Sequence, residues 1–125
     1  MAAAGGTPPG EQKYESEAEI VDLVTSPGHS YWFHSTDPAD GVGPHLTLTH
    51  AEVALVAGQG IVGDRFFGRV SRLRSATSFV AAEAVAEVGR ELGLALDPVL
   101  MRRNIVTRGI ALNGLVGRRF TVGSV

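Results

Sequence analysis

The residues best suited to chemistry lie between Leu100 and Phe120. Five of the ten arginines sit there, Arg102, Arg103, Arg108, Arg118 and Arg119, with no carboxylate among them. Asn104 and Thr107 are interleaved with the arginines, and so are the apolar residues Ile105, Val106, Ile110, Leu112, Leu115, Val116 and Phe120. Unpaired guanidinium groups are costly to bury, so the segment is not an ordinary core strand. Its apolar residues still demand packing. Both requirements are met by a short strand over Asn104 to Thr107, a glycine-broken turn, and a second strand starting near Arg119. Arg102, Arg103 and Arg108, with Asn104 and Thr107, would then share a rim. A guanidinium is a planar fork of donors matched to phosphate or carboxylate, so the chemistry suggested is capture of a small polyanion. The plainer alternative is solvated charges at strand ends, paired with Asp64 or Asp97.

A second candidate is Gly58-Gln59-Gly60-Ile61-Val62-Gly63-Asp64-Arg65-Phe66. Its glycines would let backbone N–H groups approach an anion. Asp64 and Arg65 could contact a ligand directly or form an anchoring ion pair at the base of the turn. His29 follows the Ser26-Pro27-Gly28 turn, and Trp32 reads as core or pocket wall. The four histidines show no metal-ligand spacing, and the chain has no cysteine. No metal site is assigned. Asn113-Gly114 reads first as a turn.

These residues need a scaffold. Residues 1–17 read as a disordered tail, rich in Gly, Pro and charge. Ala18 to Val24 alternates as a first strand, and the Ser26-Pro27-Gly28 turn ends it. His45 to His50 alternates again. Gly58 to Gly63 is a glycine-punctuated turn, and Ser75 to Val80 suits a strand. Ala81 to Leu92 has helical spacing at Val85, Val88 and Leu92, with Glu83, Glu87 and Glu91 on another face. Gly93 and Pro98 stop that helix. The pattern predicts a mainly β, α+β or barrel-like domain with one or two short helices.

The totals restrict the function. A chain of 125 residues fits one domain, with 44% hydrophobic and 19% charged residues. Net charge is −2, unevenly placed: residues 1–60 hold one lysine against eight carboxylates, and residues 61–125 hold ten arginines against five carboxylates. That asymmetry hints at an anionic ligand on the later half. A pI near 6.0 without a lysine-rich face argues against a nucleic-acid partner. No apolar run approaches a membrane span and no signal-peptide pattern opens the chain, so the expected compartment is cytoplasmic.

Arg102-Arg103-Asn104-Ile105-Val106-Thr107-Arg108-Gly109-Ile110, with Leu112-Asn113 and Leu115-Val116-Gly117-Arg118-Arg119-Phe120, resembles the MOSC domain, named after the C-terminus of molybdenum cofactor sulfurase. The Gly58 to Phe66 stretch resembles that family's glycine-rich element, and Ser26-Pro27-Gly28-His29 lies where the family has its early turn. The resemblance runs from about Val21 to the end, with the stretches in the family's order. It implies a β-barrel-like fold over 18–125 that binds the molybdenum cofactor, its metal ion or its pterin phosphate. The residues implied for binding are Arg102, Arg103, Asn104, Thr107, Arg108, Asp64, Arg65 and His29. The activities implied are sulfur transfer to molybdenum, cofactor carriage, or molybdenum-dependent reduction. The implied partners are a molybdenum enzyme, an iron–sulfur or flavin enzyme, or a second copy.

Typical members continue past the equivalent of Val125 and supply a cysteine. By that comparison this chain is truncated, and its expected open edge calls for a partner or self-association. Pyridoxal phosphate is linked to the family by association alone. The single lysine, Lys13, falls in the predicted tail and argues against direct binding of it. The alternative function is a non-catalytic anion-binding or interaction module that works with a partner chain.

Overall fold

The computed structural model describes residues 2–4, 14–28, 47–69, 71, 74 and 76–125. Its centre is a four-stranded mixed sheet in the order β4-β3-β8-β7. Strand β3 is Glu19–Thr25, β4 is Leu48–His50, β7 is Phe79–Ala81 and β8 is Ile105–Arg108. Strand β3 pairs antiparallel with both β4 and β8, and β7 pairs parallel with β8. A parallel pair needs a crossover, and helix α1, Ala82–Leu92, supplies it. Ile105, Val106 and Thr107 are all buried, so β8 is covered on both faces, as its β-branched run requires.

Smaller elements surround this sheet. Strands β5 (Leu55–Val56) and β6 (Gly60–Ile61) form an antiparallel hairpin. Gly60, at φ +110°, brings the hairpin against Ala76, where an added Cβ would lie 3.1 Å from both the Ala76 Cβ and its carbonyl oxygen. Strands β1 (Ala2–Ala4), β2 (Tyr14–Glu17) and β9 (Arg119–Thr121) make an antiparallel sheet in the order β2-β1-β9. Val24, Ile61, Ala76, Val85, Ile105, Val106 and Leu115 form the buried apolar core.

The α+β expectation holds for the described residues, which form short strands, one α-helix and a mixed sheet. Among the described residues, however, the strands fall into separate sheets and do not close into a barrel. The strands expected at Asn104 and Arg119 and the helix at Ala81 lie within one residue of those observed. The strand expected over Ser75 to Val80 is confined to Phe79–Ala81. The strand expected from His45 begins, within the described residues, at Leu48. The first strand is not a plain alternation, because its register against β8 shifts at Val21, a β-bulge. Two pieces of the expected disordered tail, Ala2–Ala4 and Tyr14–Glu17, are strands, the first recruited by backbone pairing with β9 and the second by pairing with the first, rather than by any apolar pattern.

The helix differs from its amphipathic reading. Val85 and Gly89 are its buried residues, whereas Val88 and Leu92 are 47% and 62% exposed. The contact runs through Gly89 because the chain after the helix folds back on it. An added Cβ there would lie 2.6 Å from the Leu94 carbonyl oxygen. Glu83, Glu87 and Glu91 are exposed, as their spacing predicts, and Gly93 ends the helix in the left-handed conformation.

Candidate functional site

Four segments distant in sequence meet at a buried polar node. Asp64, 6% exposed, follows the β5–β6 hairpin. Its Oδ1 accepts from the Ser26 backbone N–H at 3.0 Å and from Asn104 Nδ2 at 3.2 Å. Its Oδ2 accepts from the Phe66 N–H at 3.3 Å. Asn104 opens β8 and is 4% exposed. Its amide donates also to the Val24 carbonyl at 3.0 Å. Its Oδ1 accepts from the Ser78 N–H at 3.0 Å and from the Ser78 hydroxyl at 3.1 Å. The side chain thus uses both donors and two acceptor positions, its full complement. Ser78 Oγ accepts in turn from the Asn104 N–H at 3.2 Å, and the Arg65 N–H donates to the Ser26 carbonyl at 2.9 Å.

Arg102 closes the node from outside. Asp97 caps a short 3-10 helix, Pro98–Met101, by accepting from the Val99 N–H at 3.0 Å. The chain leaves that helix at Arg102, which adopts φ 53°, ψ 31°. It is the one described residue other than glycine with positive φ, a conformation that costs about 1–2 kcal/mol. The half-buried guanidinium donates from Nε to Ser26 Oγ at 3.2 Å and from Nη2 to the Gly28 carbonyl at 2.6 Å. Asp64 therefore fixes the Ser26 backbone, and Ser26 with Gly28 fixes Arg102.

The other sequence candidates separate from this cluster. Arg65 is half-buried, its guanidinium stacked 4.6 Å from the Phe66 ring centre. Arg103 is exposed next to Arg102. Arg108 lies at the far end of β8, about 15 Å along an extended strand from Arg103. It pairs with the exposed Glu19 at 3.5 Å, directly opposite on β3. The arginine stretch lacks local carboxylates, but strand pairing supplies one from elsewhere. Neither Asp64 nor Asp97 plays the ion-pair role weighed for it: Asp64 serves the node and Asp97 the 3-10 cap. Thr107 is fully buried and its hydroxyl has no hydrogen-bond partner. His29 and Trp32 lie outside the described residues. Asn113 is exposed in a 3-10 turn, Leu112–Leu115, which bears out its turn reading.

Two contacts had no readable signal. Ser78 is one of several hydroxyl residues in the run Ser75-Ala76-Thr77-Ser78, yet it completes Asn104. Thr25, 2% exposed, hydrogen-bonds His50 Nε2 at 2.7 Å across β3 and β4. Only the strand register, Leu23 opposite His50, brings that pair together. Elsewhere, Glu83 at the start of α1 accepts from the Gly109 N–H at 2.9 Å. That bond holds its carboxyl below the usual glutamate range, helped by its own backbone N–H; partial desolvation works against the shift and the Arg108 charge adds to it.

Among the described residues no group of three or more His, Cys, Asp or Glu side chains could hold a metal ion, and no helix is long and apolar enough to cross a membrane. Comparison with known proteins finds no matching family, curated protein or solved structure.

Proposed function

We propose that this chain is a MOSC-like domain that binds a small anionic cofactor, the molybdenum cofactor through its pterin phosphate, at the Arg102–Arg103 end of β8. The supporting observation is the meeting of the three stretches that carry the resemblance. Ser26, Asp64 and Asn104 come one from each, and they join by hydrogen bonds of 3.0 and 3.2 Å. Arg102, from the third stretch, reaches back to the first. A strained, positive-φ arginine over-determined by a buried network is the kind of feature found at binding sites. A barrel completed beyond the described strands and a cytoplasmic setting belong to the same proposal.

The donor set suits one part of the cofactor. Arg102, Arg103 and the exposed backbone around them match a phosphate. Cysteine is absent from the chain, and a thiolate is the soft protein ligand suited to such a metal. When bound, the cofactor would supply oxygen-atom or sulfur-transfer chemistry at its metal. The chain's own residues hold and orient its phosphate. Sulfane sulfur is carried on a thiolate, so this chain alone is a binder and not a sulfurtransferase.

The test is analysis of protein purified from a host that makes the cofactor. Molybdenum and pterin near one per chain are expected. Replacing Arg102 and Arg103 with Ala should weaken that binding by about 1.5–3 kcal/mol per charge-assisted contact. Neither molybdenum nor pterin in folded wild-type protein would overturn the reading and favour an interaction module.

A further inference from the structure

A cleft of about 540 Å³ opens between the β5–β6 hairpin, the edge strand β7 and strand β9. None of its described lining residues belongs to the Asp64–Asn104–Ser26–Arg102 node. Its size falls within the range of small-molecule sites, about 300–1,000 Å³. The walls are mainly apolar, with Gln59 and Thr77 among them. Phe79 and Phe120 meet edge to face with ring centres 5.8 Å apart, Val122 lies beside them, and fully buried Ile105 closes the floor. Gly60, pressed against Ala76, sets the opposite wall. Among the described lining residues, the one charged side chain is the exposed guanidinium of Arg74.

We propose that this cleft binds a small aromatic acid, its ring packed against the Phe79–Phe120 pair and its carboxylate or phosphate on Arg74. The chemistry follows from the lining. Aromatic walls favour a flat ring, which gains edge-to-face or offset contacts beyond its buried area. A lone guanidinium at the rim of an apolar cleft selects one anionic group and disfavours a cation. A cleft serving a neutral hydrocarbon would have no use for Arg74, and a peptide groove would expose a longer row of backbone partners than the three residues of β7.

The experiment titrates the full chain with 2-naphthoate, 2-naphthyl phosphate and neutral 2-naphthol, followed by amide resonances. Both anions should bind tighter than 2-naphthol, by about threefold to fivefold for an exposed ion pair. Shifts should centre on Gly60, Phe79 and Val122. Arg74→Gln, an exposed substitution, should erase the preference for the anions while leaving 2-naphthol unchanged. Phe120→Ala should weaken all three ligands together, and its amide spectrum shows whether it is folded. Equal binding of the three ligands, an anion preference that survives Arg74→Gln, shifts centred elsewhere, or no binding would each overturn the assignment.

Discussion

Asp64 is the residue whose loss should reach furthest. It is 6% exposed and accepts three hydrogen bonds, at 3.0, 3.2 and 3.3 Å, from Ser26, Asn104 and Phe66. Asp64→Ala leaves all three donors without this acceptor, and bonds to a charged group are worth about 1.5–3 kcal/mol each. Relief of carboxylate burial offsets part of that sum. The expected net cost is about 3–5 kcal/mol, as for breaking one side of a buried charged network. Against a typical domain stability of about 5–15 kcal/mol, that loss is large. Asp64→Asn keeps an oxygen for Ser26 and Asn104 and turns an amide donor on the Phe66 N–H. The Phe66 bond is the longest of the three, so this variant should cost only about 1–2 kcal/mol. Urea unfolding of the three proteins measures the difference. The Arg102 Nε–H resonance should stay protected in Asp64→Asn and exchange faster in Asp64→Ala, because Asp64 reaches Arg102 through Ser26. A cost below about 1 kcal/mol for Asp64→Ala, or equal costs for both variants, would refute the node as the support of Arg102.

Other substitutions test single contacts. Gly89→Ala should destabilise by about 1–2 kcal/mol by overpacking against the Leu94 carbonyl, although alanine favours an isolated helix by about 1 kcal/mol over glycine; unfolding that shows stabilisation would mean the chain after α1 does not lie against it. Thr107→Val should stabilise by up to about 1 kcal/mol, because it removes a buried hydroxyl that has no partner; a denaturation midpoint shifted downward would reveal a bond to that hydroxyl. The lowered Glu83 pKa means that its stabilising contribution is complete above the unfolded-state value and is lost as pH falls through the folded one. The Gly109 amide resonance should therefore titrate with a midpoint below the usual glutamate range and stop titrating in Glu83→Gln, whereas a midpoint at or above that range would contradict the hydrogen bond.

The elements were more legible in the sequence than their packing. Strand β8 announces itself through Ile105-Val106-Thr107, and helix α1 through its carboxylates and Gly93, because local propensity and capping agree there. Which helix face is buried was not legible. Val88 and Leu92 outrank Gly89 in hydrophobicity, but Gly89 alone admits the Leu94 carbonyl at close range. The short strands β1 and β2 carry no alternation worth reading; backbone pairing with β9 specifies β1, and pairing with β1 specifies β2. The pairing of Arg108 with Glu19 was equally hidden, since it depends on the bulged register of β3.

The buried node also changes how a polar motif should be read. Asn104 and Asp64 stand out in sequence as ligand-type side chains, yet they spend their hydrogen bonds on the protein's own backbone, on each other and, for Asn104, on the Ser78 hydroxyl. Their spacing in the chain is set by the fold, since β8 must start where its first side chain can cross to the hairpin and to Ser78. Residues that build such a node are intolerant of change whether or not a ligand exists. The ligand argument must therefore rest on what the node holds up. That is Arg102, kept at positive φ with its guanidinium against the Ser26–Gly28 turn, and exposed Arg103 beside it. A purely structural cap would be better served by glycine at that φ. Arg102→Gly should therefore recover part of the backbone strain that Arg102→Ala retains, making it the more stable variant by about 1 kcal/mol. If both variants lose anion binding equally while differing in stability, then the guanidinium binds and the strain is the cost of aiming it.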